Sequence, residues 1–397
     1  MIDNLVEWLN LALRWVHLIA GIGWIGSSFY FMWLDASLEV PDKPKESVEG
    51  ELWMTHSGGF YAVEKRLIRP GEMPKVLHWF RYEALFTLIT GLLLLFVVYY
   101  MGKAALLIDP AVMPLSAGAA HGISFGTLIV AWVVYDLLWK YVGTRWPTVA
   151  LAVSIALLCG LAWGLCHVFS GRGAFIQLGA TLGTVMVTNV WMRILPAQKK
   201  MIAATGRGEI PDYKLGIAAK HRSVHNSYMT LPVLFMMLSN HYPTMFGHEH
   251  NWLVLILLIV VGMGVRHGMI AREKRGSWRW VVAPVGAALV ALVLLTAPRS
   301  EASSNLAAGP HVSFAAANDV LVRRCLQCHA MQPTDDVFKT PPNGIVFESP
   351  QSVQALAPRI RLRVFVNKTM PLANKTGITE GERELLTRWI DQGAHLE

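Results

Sequence analysis

Cys325-Leu326-Gln327-Cys328-His329 is the stretch from which the rest of the chain can be read. Two cysteines with two residues between them, followed at once by histidine, form the attachment signature of c-type haem. The thiols add to the haem vinyl groups, and the adjacent imidazole is held where it can ligate iron. A lone CxxC also occurs in zinc knuckles and redox dithiols. The missing second CxxC and the immediate His argue against zinc. The iron needs a second axial ligand, and Met370-Pro371 further along offers one. A thioether opposite an imidazole raises the potential, which suits an electron carrier. His329 and Met370 are therefore the expected iron ligands, and Cys325 and Cys328 the covalent anchors of a single haem c. Covalent haem attachment in bacteria takes place outside the inner membrane. That places the tail, from about residue 300 onward, in the periplasm.

Working outward, the chain has 397 residues, 53% of them hydrophobic and only 16% charged. Soluble proteins carry about a quarter charged residues, so this composition indicates a membrane protein with a modest soluble appendage. Uncharged runs long enough to span a bilayer occur at 15–34, 84–102, 110–135, 146–171, 173–192, 223–248, 250–265 and 280–298. The seventh is short unless it continues through Arg266 to Ala271. The expectation is an all-α fold with eight spans in residues 1–298, a linker over 299–312 rich in Ser, Ala and Gly, and a small class I-like cytochrome c domain over 313–397.

Charge sets the orientation. Lys and Arg crowd the first, fifth and seventh loops, and two sit in the third. The second and fourth loops hold only Lys103 and Arg172, and the sixth none. By the positive-inside rule the odd loops are cytoplasmic and both termini periplasmic, in agreement with the haem signature. The net charge of +8 is thus a matter of membrane side, with no nucleic-acid partner. Cys159 and Cys166 read as small buried hydrophobes. In the tail, 314–330 reads as a helix ending in the attachment site, and 331–350 as a loop wrapping the haem edge. Thr379-Glu380-Gly381-Glu382 matches a capping box, opening a helix to about Gln392.

Polar groups inside apolar spans are costly and are functional candidates by default. His17 lies beside Gly21, Gly23 and Gly26, which leave room for a flat cofactor such as haem b, or equally for close helix packing. His221 and His225 are one turn apart, a spacing that suits a metal or two interfacial histidines. His167 follows Trp163 by one turn, which stacking explains. Arg266-His267 sits deep in the seventh span. Its guanidinium needs an anion, either a substrate or Asp136. Asp136 has Lys140 as another possible partner one turn on.

The span from Arg14-Trp15-Val16-His17 to Gly26, the segment 53–69, the stretch Thr188-Asn189-Val190-Trp191-Met192-Arg193, and eight spans fused to Cys325–His329 with Met370 together resemble one family. It is the membrane-bound urate oxidase (urate hydroxylase) family with a C-terminal cytochrome c domain. The resemblance covers essentially the whole chain. It implies oxidation of urate to 5-hydroxyisourate in purine breakdown. Electrons would pass through haem c to a periplasmic cytochrome or terminal oxidase of the respiratory chain, with no hydrogen peroxide. The first span also resembles that of membrane haem proteins acting as protoporphyrinogen oxidases, which would make His17 a haem b ligand. Urate is a planar anion at neutral pH. It needs a cationic anchor, Arg266 or Arg193, and a base, His225 or His267. Haem c takes one electron at a time, so a membrane haem or other metal centre would help. Two other readings fit less of the chain: a membrane cytochrome moving electrons from quinol to periplasmic acceptors, and a transporter carrying a cytochrome sensor.

Overall fold

The computed structural model describes residues 2–43, 45–68, 73–297 and 306–397. Arg69 and the first half of the expected linker, 299–305, lie outside them. Helices occupy each of the eight apolar runs: α1 (Ile2–Ser37), α2 (Tyr82–Leu94), α3 (Ala117–Leu137), α4 (Pro147–Val168), α5 (Gly171–Asn189), α7 (Tyr213–Leu238), α9 (Asn251–Glu273) and α10 (Val282–Leu295). Between them lie α6 (Leu195–Gly206) and the single turn α8 (Pro243–Phe246). Starts follow local chemistry. Ser116 caps α3 through Ala119 N at 3.2 Å, Ser170 caps α5 through Gly173 N at 3.0 Å, and Pro147 opens α4.

Six of these helices are long and apolar enough to cross a membrane. The other two expected spans differ for stated reasons. Helix α7 starts ten residues before the apolar run and carries Lys214, Lys220 and Arg222 in its first half. Helix α10 lies in a shorter apolar segment, Arg279–Leu295. The seventh span does continue past Arg266, to Glu273.

Three bundle helices end in a π turn, Leu95–Tyr100 after α2, Leu138–Val142 after α3 and Val190–Ile194 after α5. Phe169, Phe175, Leu178, Met236 and Leu255 are fully buried in the bundle core. Trp15, Val293 and Leu294 point outward and stay about two-thirds exposed, as side chains do that hydrocarbon would cover.

One element departs from the all-α expectation. Residues Val48–His56 (β1) and Gly59–Arg66 (β2) pair antiparallel, with Trp53 opposite Ala62. The turn places Ser57 and Gly58 at φ 51° and 79°, the pair of positive φ values that a two-residue hairpin turn demands.

The basic loops gather at one end of the bundle. Lys65 and Lys220 both donate to Asp35, at 2.5 and 2.7 Å, and Arg275 reaches Glu39 at 2.5 Å. The tail packs at the other end, where Lys103 pairs with Asp336 at 2.6 Å. These basic loops and the tail thus lie at opposite ends of the bundle.

The tail folds as α11 (Phe314–Arg324), α12 (Leu326–His329), α13 (Pro350–Arg361) with a π turn over Leu362–Val366, and α14 (Glu380–Asp391). The helix expected over 314–330 breaks at Cys325. The capping box forms: Thr379 Oγ1 accepts from Glu382 N at 3.2 Å, and Glu382 returns a bond to Thr379 N at 2.8 Å. Trp389, Leu321, Leu386 and Val353 make the core, and Cys325, Phe347 and Met370 pack against it.

Candidate functional site

The Cys325–His329 turn has the form that haem attachment needs. Cys328 N and His329 N both bond Cys325 O, at 3.2 and 2.9 Å, so the two thiols and the imidazole share one helical turn. His329 Nδ1 donates to Ile345 O at 2.9 Å, which fixes the tautomer and leaves Nε2 free to bind a metal. The Phe347 ring lies 5.0 Å away. Burial lowers the His329 pKa, which favours the neutral ligand form. Burial also pushes the Cys325 thiol up to about 12, and burial with the Asp335 carboxylate pushes Cys328 up to about 11. A redox dithiol needs the opposite shift. The donor set therefore suits covalent haem. Met370 lies in the same tail core, its carbonyl held by Arg383 Nη1 at 2.9 Å and its N–H by Arg363 O at 3.0 Å.

At the basic end a buried polar network joins α3, α5 and α7. Asp136 is bound by Arg193, through Nε at 2.7 Å and through Nη2, and by Arg222 Nη2 at 3.0 Å. This corrects two expectations. Asp136 is the partner neither of Arg266 nor of Lys140, because α5 and α7 bring two arginines to it. Tyr135, beside it, shares its hydroxyl with His225 Nδ1 at 2.8 Å and accepts from Asn189 Nδ2 at 3.2 Å. Asn189 also reaches Asn226 at 2.9 Å. The Trp139 ring covers His225 at 4.0 Å. Asn189 Oδ1 and Arg222 Nη1 are buried without a partner. Arg222, Tyr135 and Asn226 were not singled out from sequence, and Asn189 only as part of the 188–193 stretch. The usable signal was Arg222 and Asn226 one turn apart in a run that also holds His221 and His225. His221 is exposed, and among the described residues no third ligand joins the His pair to make a metal site.

Arg266 is fully buried and already partnered. Ser227 Oγ accepts from its Nε at 2.7 Å, Glu273 lies at 3.5 Å, and the guanidinium stacks 3.9 Å over Phe29. His267 shares a 2.7 Å bond with the Tyr228 hydroxyl and lies edge-on to Trp280.

His17 Nδ1 meets Thr90 Oγ1 at 3.0 Å. That hydroxyl already donates to Phe86 O at 2.6 Å, so the imidazole is the donor and its Nε2 stays open. The small residue that makes room for it is Gly91 on α2, where a Cβ would lie 3.0 Å from His17 Cε1. Gly21 and Gly26 face open space. His167 stacks on Trp163 at 4.3 Å, as the spacing indicated, and Cys159 and Cys166 are free thiols.

Fold and tail together define a helical bundle of membrane-spanning character joined to a small helical domain with a haem-type CxxCH turn. The chain belongs to the urate oxidase N-terminal family, whose profile matches residues 3–297. No curated protein and no solved structure matches it.

Proposed function

We propose that the chain oxidises urate to 5-hydroxyisourate and delivers the electrons through a covalent haem c on its tail. The observation that carries this reading is a conjunction. A bundle of the urate oxidase N-terminal family holds, at the end away from its basic loops, a turn in which His329 Nδ1 is pinned to Ile345 O and Nε2 is left free. The reaction takes urate and water to 5-hydroxyisourate, two protons and two electrons, so no dioxygen is consumed and no peroxide forms. A haem held there would supply a one-electron acceptor for each of the two electrons.

Cys325 and Cys328 would hold that group covalently, and His329 and Met370 would ligate its iron. Within the bundle, His225 and His267 are the proton-handling candidates. Each has one ring nitrogen engaged by a tyrosine hydroxyl, which orients the other. Arg266, the third catalytic candidate, is held by Ser227 and Glu273 and ties α9 to α7, the two helices that carry these histidines. His17, with Nε2 open, is the candidate ligand for a haem b or other metal centre in the membrane. The proposed setting is a bacterial inner membrane with the tail periplasmic, and a periplasmic cytochrome or terminal oxidase as the next acceptor.

The test uses membranes containing the full-length, haem-loaded protein. Urate should reduce the haem under anaerobic conditions, yield 5-hydroxyisourate, and give no peroxide in air. Reduction by quinol with no response to urate would instead identify a quinol-linked cytochrome.

A further inference from the structure

A cleft of about 430 Å³ lies at the seam between bundle and tail. One wall comes from the α4–α5 and α8–α9 turns, the other from the tail loop that carries Met370. An arginine stands on each side, Arg172 from the bundle and Arg363 from the tail, close enough for their charges to interact. Neither is in an ion pair with a carboxylate among the described residues. Arg363 Nη1 donates to Thr369 Oγ1 at 3.1 Å, and the Arg172 guanidinium lies 5.4 Å from the Phe246 ring centroid. Two carboxylates also line the cleft and are engaged elsewhere: Asp109 by Ala111 N at 3.0 Å, and Glu249 near His250 at 3.9 Å. Burial, then the charges of Arg172 and Arg359, holds Arg363 down at about 10. Two like charges facing one cleft, neither ion-paired to a carboxylate among the described residues, make it a position that favours an anion.

We propose that this seam is where the purine anion binds and is oxidised, with Arg172 and Arg363 paired to its oxygens. The inference rests on the urate reading above and moves the anion anchor away from Arg266, and the base away from His225 and His267. The shared chemistry is a delocalised oxyanion, which has two sources here, free urate or the propionates of the tail's own haem. Three features favour urate. The cleft volume falls within the range of small-molecule sites. Phe246 and Trp252 supply aromatic walls for a planar ring. His167 also lines the cleft, and its Nδ1 donates to Trp163 O at 2.7 Å, which makes Nε2 the acceptor nitrogen of the neutral ring.

Position adds a further argument. Met370 lines the same cleft, so electrons leaving urate there reach the iron's own ligand. The Asp136 network lies about 28 Å away along α3 from Ala117 at the tail end. Electron tunnelling falls off exponentially over such a distance. In the balanced step, hydroxide from water bonds to C5 of urate, the two electrons go to the haem in succession, and the two protons go to His167 and solvent.

The experiment compares full-length, haem-loaded wild type with Arg172→Gln and Arg363→Gln. It records equilibrium binding of labelled urate, the urate dependence of haem reduction, and the haem midpoint potential. Each substitution should weaken urate binding about tenfold or more, raise KM in proportion, and leave the potential unchanged. Arg→Lys variants, which keep the charge, should recover part of the affinity and guard against a folding artefact. A shifted potential with wild-type urate affinity assigns the arginines to the propionates and overturns the substrate site. Wild-type affinity and wild-type potential together overturn the anion site altogether. If urate binds wild type at this seam but fails to reduce the haem, the oxidase reading fails while the binding site stands.

Discussion

At the scale of single residues, the tail is organised by bonds that leave particular atoms free. Ile345 O occupies His329 Nδ1 and so presents Nε2. Arg363 O and Arg383 fix the backbone on both sides of Met370, so its thioether is carried on a held segment. Met370→Ala removes the thioether and leaves Cys325 and Cys328 untouched. If Met370 is the axial ligand of the proposed haem, the haem should stay attached and its midpoint potential should fall, because an axial thioether raises it. A pyridine haemochrome spectrum checks attachment and a redox titration checks the potential. An unchanged potential would identify a different axial ligand.

At the scale of elements, Asp136 is where three helices meet. Its carboxylate is almost fully buried and binds Arg193 at the end of α5 and Arg222 on α7, so it carries the charge balance of the junction. Asp136→Asn leaves two guanidinium groups facing a neutral amide. Removing one partner of a buried pair costs about 3–5 kcal/mol, which should appear as a clear drop in the melting temperature of the detergent-solubilised protein. A melting temperature equal to wild type would show that the arginines find other partners.

This junction also shows what sequence can and cannot convey. The apolar runs were legible because hydrocarbon thickness fixes their length, and the CxxCH turn and capping box because their partners lie within five residues. Asp136 was recognised as costly but given Arg266 or Lys140, since the pairing with α5 and α7 joins positions 57 and 86 residues apart. Arg172 registered only as a lone charge between spans, because its counterpart Arg363 is far away in the chain. The β1–β2 hairpin lay hidden in a charge-rich loop, although Ser57-Gly58 was a usable turn signal.

At the scale of the whole molecule, the question is what holds the tail against the bundle. The Lys103–Asp336 pair is one link between them among the described residues, but both side chains are more than half exposed. Such a pair contributes less than about 1 kcal/mol and is screened by salt. Backbone closeness matters more. Gly247, at an ordinary φ of −88°, sits so near the Met370 loop that a Cβ would lie 2.6 Å from Thr369 Cγ2 and 3.0 Å from Asn367 O, with Pro243 O at 2.7 Å on its own turn. Gly247→Val must therefore push the loop that carries Met370 away from the seam. Lys103→Gln removes only the exposed charge pair. If urate is oxidised beside Met370, Gly247→Val should slow urate-driven haem reduction, while ascorbate, which reaches the haem from solution, reduces it at the wild-type rate. Lys103→Gln should leave both rates as they are. Equal urate rates in Gly247→Val and wild type would mean that the electrons do not cross at this contact.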